Sequence, residues 1–518
     1  MRLKCLSSVQ ESRPLYIVFS VFLGAILSTL FLRMFSISLA DIRGIFGLDI
    51  LQGSWLNVVI NAAQLMSMTL VPWFMVIYGA EKILIGSSVL LFFLLYFSFF
   101  FLANLLGYLF LLILHFLIGF CLGVYLPMTI SLALRSLNPS VWLIVMAAYS
   151  LRVSVGMDAG VAISGSVIEI LNWRWLYWIS MLFALAIIFF AWRGMPISSI
   201  NKELLAQSDW GGMTLKCLGL ILLYVGVVQG ELLGWGDSGL IISCLLGSSV
   251  LMLIFIIRAS IYSKSFGYLN WFANHNLRIC FVIACLYGFL MLPNSLFVSS
   301  FLSIVAGLKA QQIGEVTNMA FIIYLLFSPF AIMIARRLEP RLVMMIGIAI
   351  IGIACLIGHQ ITYQWRADDF FLLIMAQAIG ECILLIGLIA SFVTNIKPSE
   401  ALHLGAYISI ARVLMPALAG ALMNTYLRIS YDTHQNSLRG YIQTGEQKLS
   451  GDFLVNIQHV SSLIIRESHV ASFIDGFQII MWFVVLGLIC MFFFKVVSYK
   501  PYCTYIIYDK KNKTLPGI

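Results

Sequence analysis

The chain has 518 residues, 61% apolar and 10% charged, against about 45–50% and about 25% in ordinary soluble domains. That balance excludes a soluble globular protein and fits one polytopic membrane unit. The net charge of +9 comes from 31 Lys and Arg against 22 Asp and Glu; it would raise a nucleic-acid partner in a soluble protein, but here the cations fall in the breaks between apolar runs, so no nucleic acid is expected.

A cytoplasmic tail (1–14) with Arg2, Lys4 and Arg13 precedes the run Leu15 to Leu32. That run is 18 residues long with no small-residue cleavage site after it, so it reads as a retained first span rather than a signal peptide. Further spans follow, and the full set is about 15–39, 52–77, 83–103, 106–131, 141–166, 174–193, 212–230, 238–258, 279–305, 315–335, 341–361, 370–392, 402–427 and 473–497. Fourteen spans put both termini on one side. With the N-terminus taken as cytoplasmic, inner tails and loops hold 20 of the 31 cations, which sets the orientation because Lys and Arg resist translocation.

The linker from 194 to 211, with Met195-Pro196 and Asp209-Trp210-Gly211-Gly212, breaks the pattern after span six. The expected layout is a six-helix bundle over 15–193, linkers and two extra helices over 194–278, a second six-helix bundle over 279–497, and a cytoplasmic tail over 498–518. The basic turn Gly79 to Lys82 after span two has a counterpart at Arg336 to Arg341 after span ten, as in carriers built from repeated halves with a site between them. The polar outer loop 428–472 carries Leu454, Ile457, Val460 and Ile464 at helical spacing, which predicts a short amphipathic helix lying on the outer face as a packing cap.

Eight of the ten cysteines lie in apolar runs and two, Cys5 and Cys503, in the tails; none has CxxC metal spacing. There is no GxxxxGK[ST] loop, HExxH, GxSxG or TVGYG sequence. An ATP-driven pump, a metal or serine hydrolase and a potassium-type filter are thereby disfavoured. No enzyme activity, metal or cofactor is expected, and a solute carrier energised by an ion gradient remains.

Charges inside spans cost roughly 2.5–3.5 kcal/mol each at a helix centre and are functional candidates by default. Here they are Arg33, Arg152, Asp158, Glu381 and Arg412, with His115 near the middle of span four. A carboxylic acid among apolar helices is costly to ionise, which makes Glu381 the leading proton carrier; His115 titrates near neutral pH in water. Asn57, Asn61 and Gln64 form one polar stripe whose ordinary role is interhelical hydrogen bonding. Gly119 and Gly123 form a small-xxx-small pair of the kind used for close helix packing. Three buried Arg against two buried acids favour an anionic or zwitterionic solute.

Several segments resemble the drug:H+ antiporter-2 family of the major facilitator superfamily, the fourteen-span multidrug exporters. They are Gln52-Gly53-Ser54-Trp55 at the start of span two, the Trp-rich stretch Asn172 to Ile179 before span six, and Ala411-Arg412-Val413-Leu414 with Ala419-Gly420 in span thirteen. The signature turn after span two keeps Gly79 and Lys82 but reads Val76, Ile77 and Ala80 at its acidic and Arg positions. The span-five antiporter motif keeps only Gly160 and Gly165. The resemblance implies an all-α, 6+2+6 major facilitator fold in a bacterial inner membrane and alternating access by a proton-coupled exporter of amphipathic small molecules. It leaves room for a periplasmic adaptor protein as a partner. It also implies that spans one, four, nine and twelve line a central cavity, bringing Arg33, His115 and Glu381 to one chamber. Two alternatives stay open: a carrier of an anionic or zwitterionic metabolite such as a siderophore, and a transporter-derived sensor that no longer cycles.

Overall fold

Long stretches of Leu, Ile, Phe and Ala leave the backbone no water to bond with in a bilayer, so each segment must satisfy its own N–H and C=O groups, and the helix does this within one segment. A computed structural model describes residues 13–105, 107–137, 142–163, 165, 172–195, 200–206, 208–261, 270–395, 401–445 and 453–495. Among the described residues every regular element is helical. The long helices are α1 (Pro14–Phe46), α2 (Ile50–Tyr78), α3 (Ala80–Leu105), α4 (Tyr108–Ser136), α5 (Trp142–Ser154), α6 (Trp175–Gly194), α7 (Trp210–Val228), α8 (Gly239–Ile261), α9 (His275–Leu290), α10 (Ala310–Arg337), α11 (Pro340–Gly358), α12 (Phe371–Asn395), α13 (Ala401–Gly445) and α14 (Phe453–Phe492). Thirteen of these are long and apolar enough to cross a membrane, so the chain is a multi-pass membrane protein. The remaining one, α5, is a shorter apolar helix by its described residues; it continues through a π turn at Val155–Ala159 and on to residue 163. Helix α9 likewise continues through a π turn at Pro293–Val298 into Ser299–Ile304, where the proline ring leaves the backbone one N–H short.

Helices α1 to α4 and α6 pack mainly on one another, α9 to α14 do the same, α5 lies between the two groups, and α7 with α8 forms a hairpin laid against α2 and α13. One core gathers Phe31, Phe35, Leu122, Tyr125 and Tyr177; another gathers Phe297, Phe301, Tyr324, Leu384 and Phe477. Lipid tails are as apolar as leucine, so close van der Waals approach and buried hydrogen bonds hold such helices together. Gly119 and Gly123 supply that approach: a Cβ on either would meet the backbone oxygen of Ile60 at 2.2 Å or of Gln64 at 2.4 Å, so α4 fits against α2 only with glycine there. Gly347 and Gly380 do the same between α11 and α12. The α2–α3 turn needs Gly79 for another reason, its φ of +97°, a conformation that side chains with a Cβ avoid. Pro72 in α2 and Pro329 in α10 both sit toward the C-terminal end of their helices, close to the turns at Gly79 and Arg336.

The two bundles meet along α5, whose Leu143 and Ala147 enter the core of the second bundle. At its other end the backbone of Ala162 lies where a Cβ on Gly314 of α10 would clash at 2.8 Å. A second seam runs between α2 or α4 and α13, with Val58, Ala62, Leu126, Ile410 and Leu414 in one apolar cluster.

One sequence expectation is corrected. Residues 428–472 do not carry a separate amphipathic helix lying on the surface. Helix α13 runs unbroken for 45 residues and α14 for 40, about 68 and 60 Å at 1.5 Å per residue, against a hydrocarbon core of about 30 Å. Leu454, Ile457, Val460 and Ile464 belong to the first turns of α14. The polar stretch that reads as a loop is thus the projecting end of two paired spans. Tyr431 stacks on His469 at 4.2 Å, and Asp475 accepts from Ser430 at 2.6 Å and bonds His434 at 2.8 Å. Residues 446–452 and the tail cysteines Cys5 and Cys503 lie outside the described residues.

Candidate functional site

The charged residues of the spans converge on the seam between the bundles. Glu381, on α12, is half-buried; its Oε1 accepts from Gln377 Nε2 at 2.7 Å and its Oε2 from the Tyr287 hydroxyl of α9 at 3.1 Å. Gln377 sits one helical turn before Glu381 and also donates to the Leu290 carbonyl at 2.7 Å, next to the α9 break. Asp158, in the π turn of α5, accepts from Ser154 Oγ at 2.5 Å, and its backbone oxygen accepts from Thr317 of α10 at 3.3 Å. The extra residue in that turn shifts the helical phase, and Asp158 is within electrostatic range of Arg33 on α1 and of Glu381 on α12. Gly160, one turn on, makes room for the Arg33 stem: a Cβ there would lie 3.2 Å from Arg33 Cγ. Arg33, Asp158 and Glu381 therefore form one electrostatic group held by three helices from both bundles.

Beside it lies a second group. Arg152 of α5, buried, donates from Nη2 to the Tyr149 hydroxyl at 3.1 Å and has its guanidinium 4.5 Å from that ring. Arg412 of α13 approaches the same ring at 5.7 Å. Tyr287 and Tyr324, both buried, lie within electrostatic range of Arg412 and Glu381, and Tyr324 donates to Ser150 at 3.1 Å. The tyrosines link the acidic group to the two arginines.

His115 is elsewhere, and the expected chamber of Arg33, His115 and Glu381 is corrected accordingly. It is wholly buried inside the first bundle, with Nε2 at 2.9 Å from the Tyr177 hydroxyl of α6, Nδ1 at 2.7 Å from the Leu111 carbonyl, and its ring 4.9 Å from Phe35. Membership of span four fixed its depth but not the direction it faces. The polar stripe divides as well: Asn61 donates to Asn57 along α2 at 2.8 Å, whereas Gln64 donates to Ser28 of α1 at 2.8 Å. Gly79 caps α2 with its N–H on Met75 at 3.1 Å, Lys82 is exposed, and Gly165 is buried beyond the π turn.

Residues the sequence reading passed over are Tyr149, Tyr287, Tyr324 and Gln377, neutral groups that look like ordinary members of apolar runs. Lys216 is buried in the second turn of α7, its Nζ 3.9 Å from the Tyr407 ring of α13. The resemblance segments also have identifiable jobs. Gln52 forms a reciprocal cap with Asp49 at 2.6 and 3.2 Å, Ser54 pairs with Gln229 of α7 at 2.9 Å, and Trp173 stacks edge-on against Tyr177. Among the described residues no group of three His, Cys, Asp or Glu could hold a metal.

No family model matches the chain. It is similar to the fatty acid resistance protein FarB of Neisseria gonorrhoeae, 21% identical over 323 residues, which are 59% of this chain and 60% of that protein. It is similar too to the multidrug export protein EmrB of Haemophilus influenzae, 20% identical over 364 residues, 70% of this chain and 68% of that one. The chain thus matches 60% and 68% of the length of these two relatives. Its fold is shared with the proton:xylose symporter XylE at a TM-score of 0.58 and 13% identity, over 93% of this chain and 96% of that one. The relatives and structural neighbours are transporters rather than enzymes. With its two helical bundles the chain has the fold of the major facilitator transporters, and it is similar at low identity to multidrug-type exporters.

Proposed function

We propose that the protein is a proton-coupled secondary transporter that exports amphipathic small molecules by alternating access, with both termini in the cytoplasm of a bacterial inner membrane. The observation that carries the reading is the placement of Glu381 at the seam: a carboxyl among apolar helices, bonded by Gln377 and Tyr287 and within electrostatic range of Asp158 in the other bundle, which is itself in range of Arg33. Such a carboxyl is neutral when dry and ionised when wet, so exposing it to one side and then the other moves a proton. Two acids sharing one region disfavour ionising together, so protonation of one changes the pull on Arg33 from the other. Arg33 and Asp158 belong to α1 and α5 of one bundle and Glu381 to α12 of the other, so this change is felt across the boundary that must rearrange when a carrier of repeated halves reorients. The proton gradient then serves as the energy source, with no cofactor in the cycle.

Relatives named for multidrug export and fatty acid resistance support amphipathic cargo. The projecting ends of α13 and α14 offer a surface to a periplasmic adaptor protein. The test is export from energised cells carrying the gene, read as retention of a fluorescent amphipathic dye. Retention must fall with the protein present and recover when a protonophore collapses the gradient. Export that survives the protonophore would overturn the coupling.

A further inference from the structure

We propose that Arg152 and Arg412 together bind the anionic group, a carboxylate or sulfonate, of an amphipathic cargo molecule. This rests on the transporter reading and adds the class of its substrate.

The two guanidinium groups come from different bundles, α5 and α13, and converge on one ring, Tyr149, at 4.5 and 5.7 Å. Arg152 is 4% exposed. Among the described residues its Nε has no acceptor, and neither does Nη2 of Arg412. Among the described residues no carboxylate lies within ion-pair distance of either; the ion pairs present join Arg258 to Asp209, Arg428 to Glu231 and Asp432, and His434 to Asp475. The seam's own acids are engaged elsewhere, Asp158 with Ser154 and Glu381 with Gln377 and Tyr287.

Two like charges in a poorly solvated space repel, and buried charged donors without acceptors are among the costliest groups a fold can hold. An anion that accepts from Arg152 Nε and Arg412 Nη2 removes both penalties at once, while a neutral or cationic solute removes neither. The surroundings suit the rest of an amphipath: Tyr149 belongs to the apolar cluster with Ala25, Leu126, Ile410 and Leu414, and Phe22 packs edge-on to its ring. Because the arginines belong to opposite bundles, a bound anion also draws α5 and α13 together, so occupancy of the site favours closure around it.

The test is binding of 1-naphthoate and its neutral isostere 1-naphthamide to the full-length protein in lipid nanodiscs, by calorimetry at one pH with no gradient. The wild type is expected to prefer the carboxylate about tenfold to hundredfold, the range for hydrogen bonds to a charged group. Arg152→Gln and Arg412→Gln should each bring that ratio close to one, with Arg412→Lys intermediate. A wild-type ratio near one, no saturable naphthoate binding, or an unchanged ratio in both glutamine variants would overturn the proposal. Should a variant not fold, as judged by its thermal midpoint, the wild type alone decides: methyl 1-naphthoate must bind as weakly as the amide, and tight ester binding counts against the site. A retained preference alongside no proton-driven transport would overturn the coupling reading and leave this one standing.

Discussion

A carboxyl that ferries protons across a membrane has to be dry enough to hold a proton and close enough to a cavity to release it. Glu381 is half-buried on α12, with two neutral hydrogen-bond donors and, among the described residues, no cation within ion-pair distance. His115 is wholly buried and bonded at both ring nitrogens inside one bundle. His115→Phe should cost about 1–3 kcal/mol by leaving the Tyr177 hydroxyl without its partner, seen as a lower thermal midpoint, while the pH profile of transport stays where it is. A displaced pH profile would return His115 to the proton path. The difference between these two residues shows what the sequence makes legible. A charge in an apolar run is conspicuous, so Arg33, Arg152, Asp158, Glu381 and Arg412 could all be singled out. Which face a residue takes depends on helix rotation, and the π turn at Val155–Ala159 alters the phase of α5 in a way no spacing rule anticipates.

At the scale of elements, α7 ties the bundles together. Its first turns carry Asp209, which caps the helix and pairs with Arg258 of α8 at 2.8 Å. Just beyond its last turn Gln229 bonds Ser54 of α2, and Glu231 bonds Trp235 at 3.2 Å and Thr425 and Arg428 of α13. The central hairpin thus grips one helix from each bundle at the end away from the basic turns. The Arg428 guanidinium holds the Glu231 carboxyl below its ordinary value of 4.5. A lowered value means that the grip is fully present above about pH 4.5 and is lost as pH falls through the still lower folded value. Glu231→Gln should therefore lower the thermal midpoint at neutral pH by a margin that shrinks as the medium is acidified below that point. A margin that grew on acidification would contradict the assignment. Nothing in the sequence joins Glu231 to Arg428, 197 positions apart. The continuity of α13 was hidden as well, because its polar residues after 428 resemble a loop once the apolar signal ends.

For the molecule as a whole, apolar run lengths and basic turns were enough to anticipate an all-helical membrane protein with a central helix pair, because hydrocarbon leaves the backbone few alternatives. Two of the three resemblance segments turned out to be structural joints: the Gln52 cap, the Ser54 contact to α7 and the Trp173 packing against Tyr177. The acids and arginines that share the seam are joined through Tyr149, Tyr287, Tyr324 and Gln377. Those neutral links are what turn isolated charges into one network spanning both bundles, and an uncharged tyrosine in an apolar run gives no sign of its partner.

The measurement that bears most directly on this account is proton movement in proteoliposomes loaded with a pH-sensitive dye, with a pH gradient imposed and an amphipathic solute added, comparing the wild type with Glu381→Gln. The account predicts solute-dependent proton flux in the wild type and its loss in the variant, with solute binding by the variant still measurable. Full solute-dependent flux in Glu381→Gln would contradict it and remove Glu381 from the mechanism.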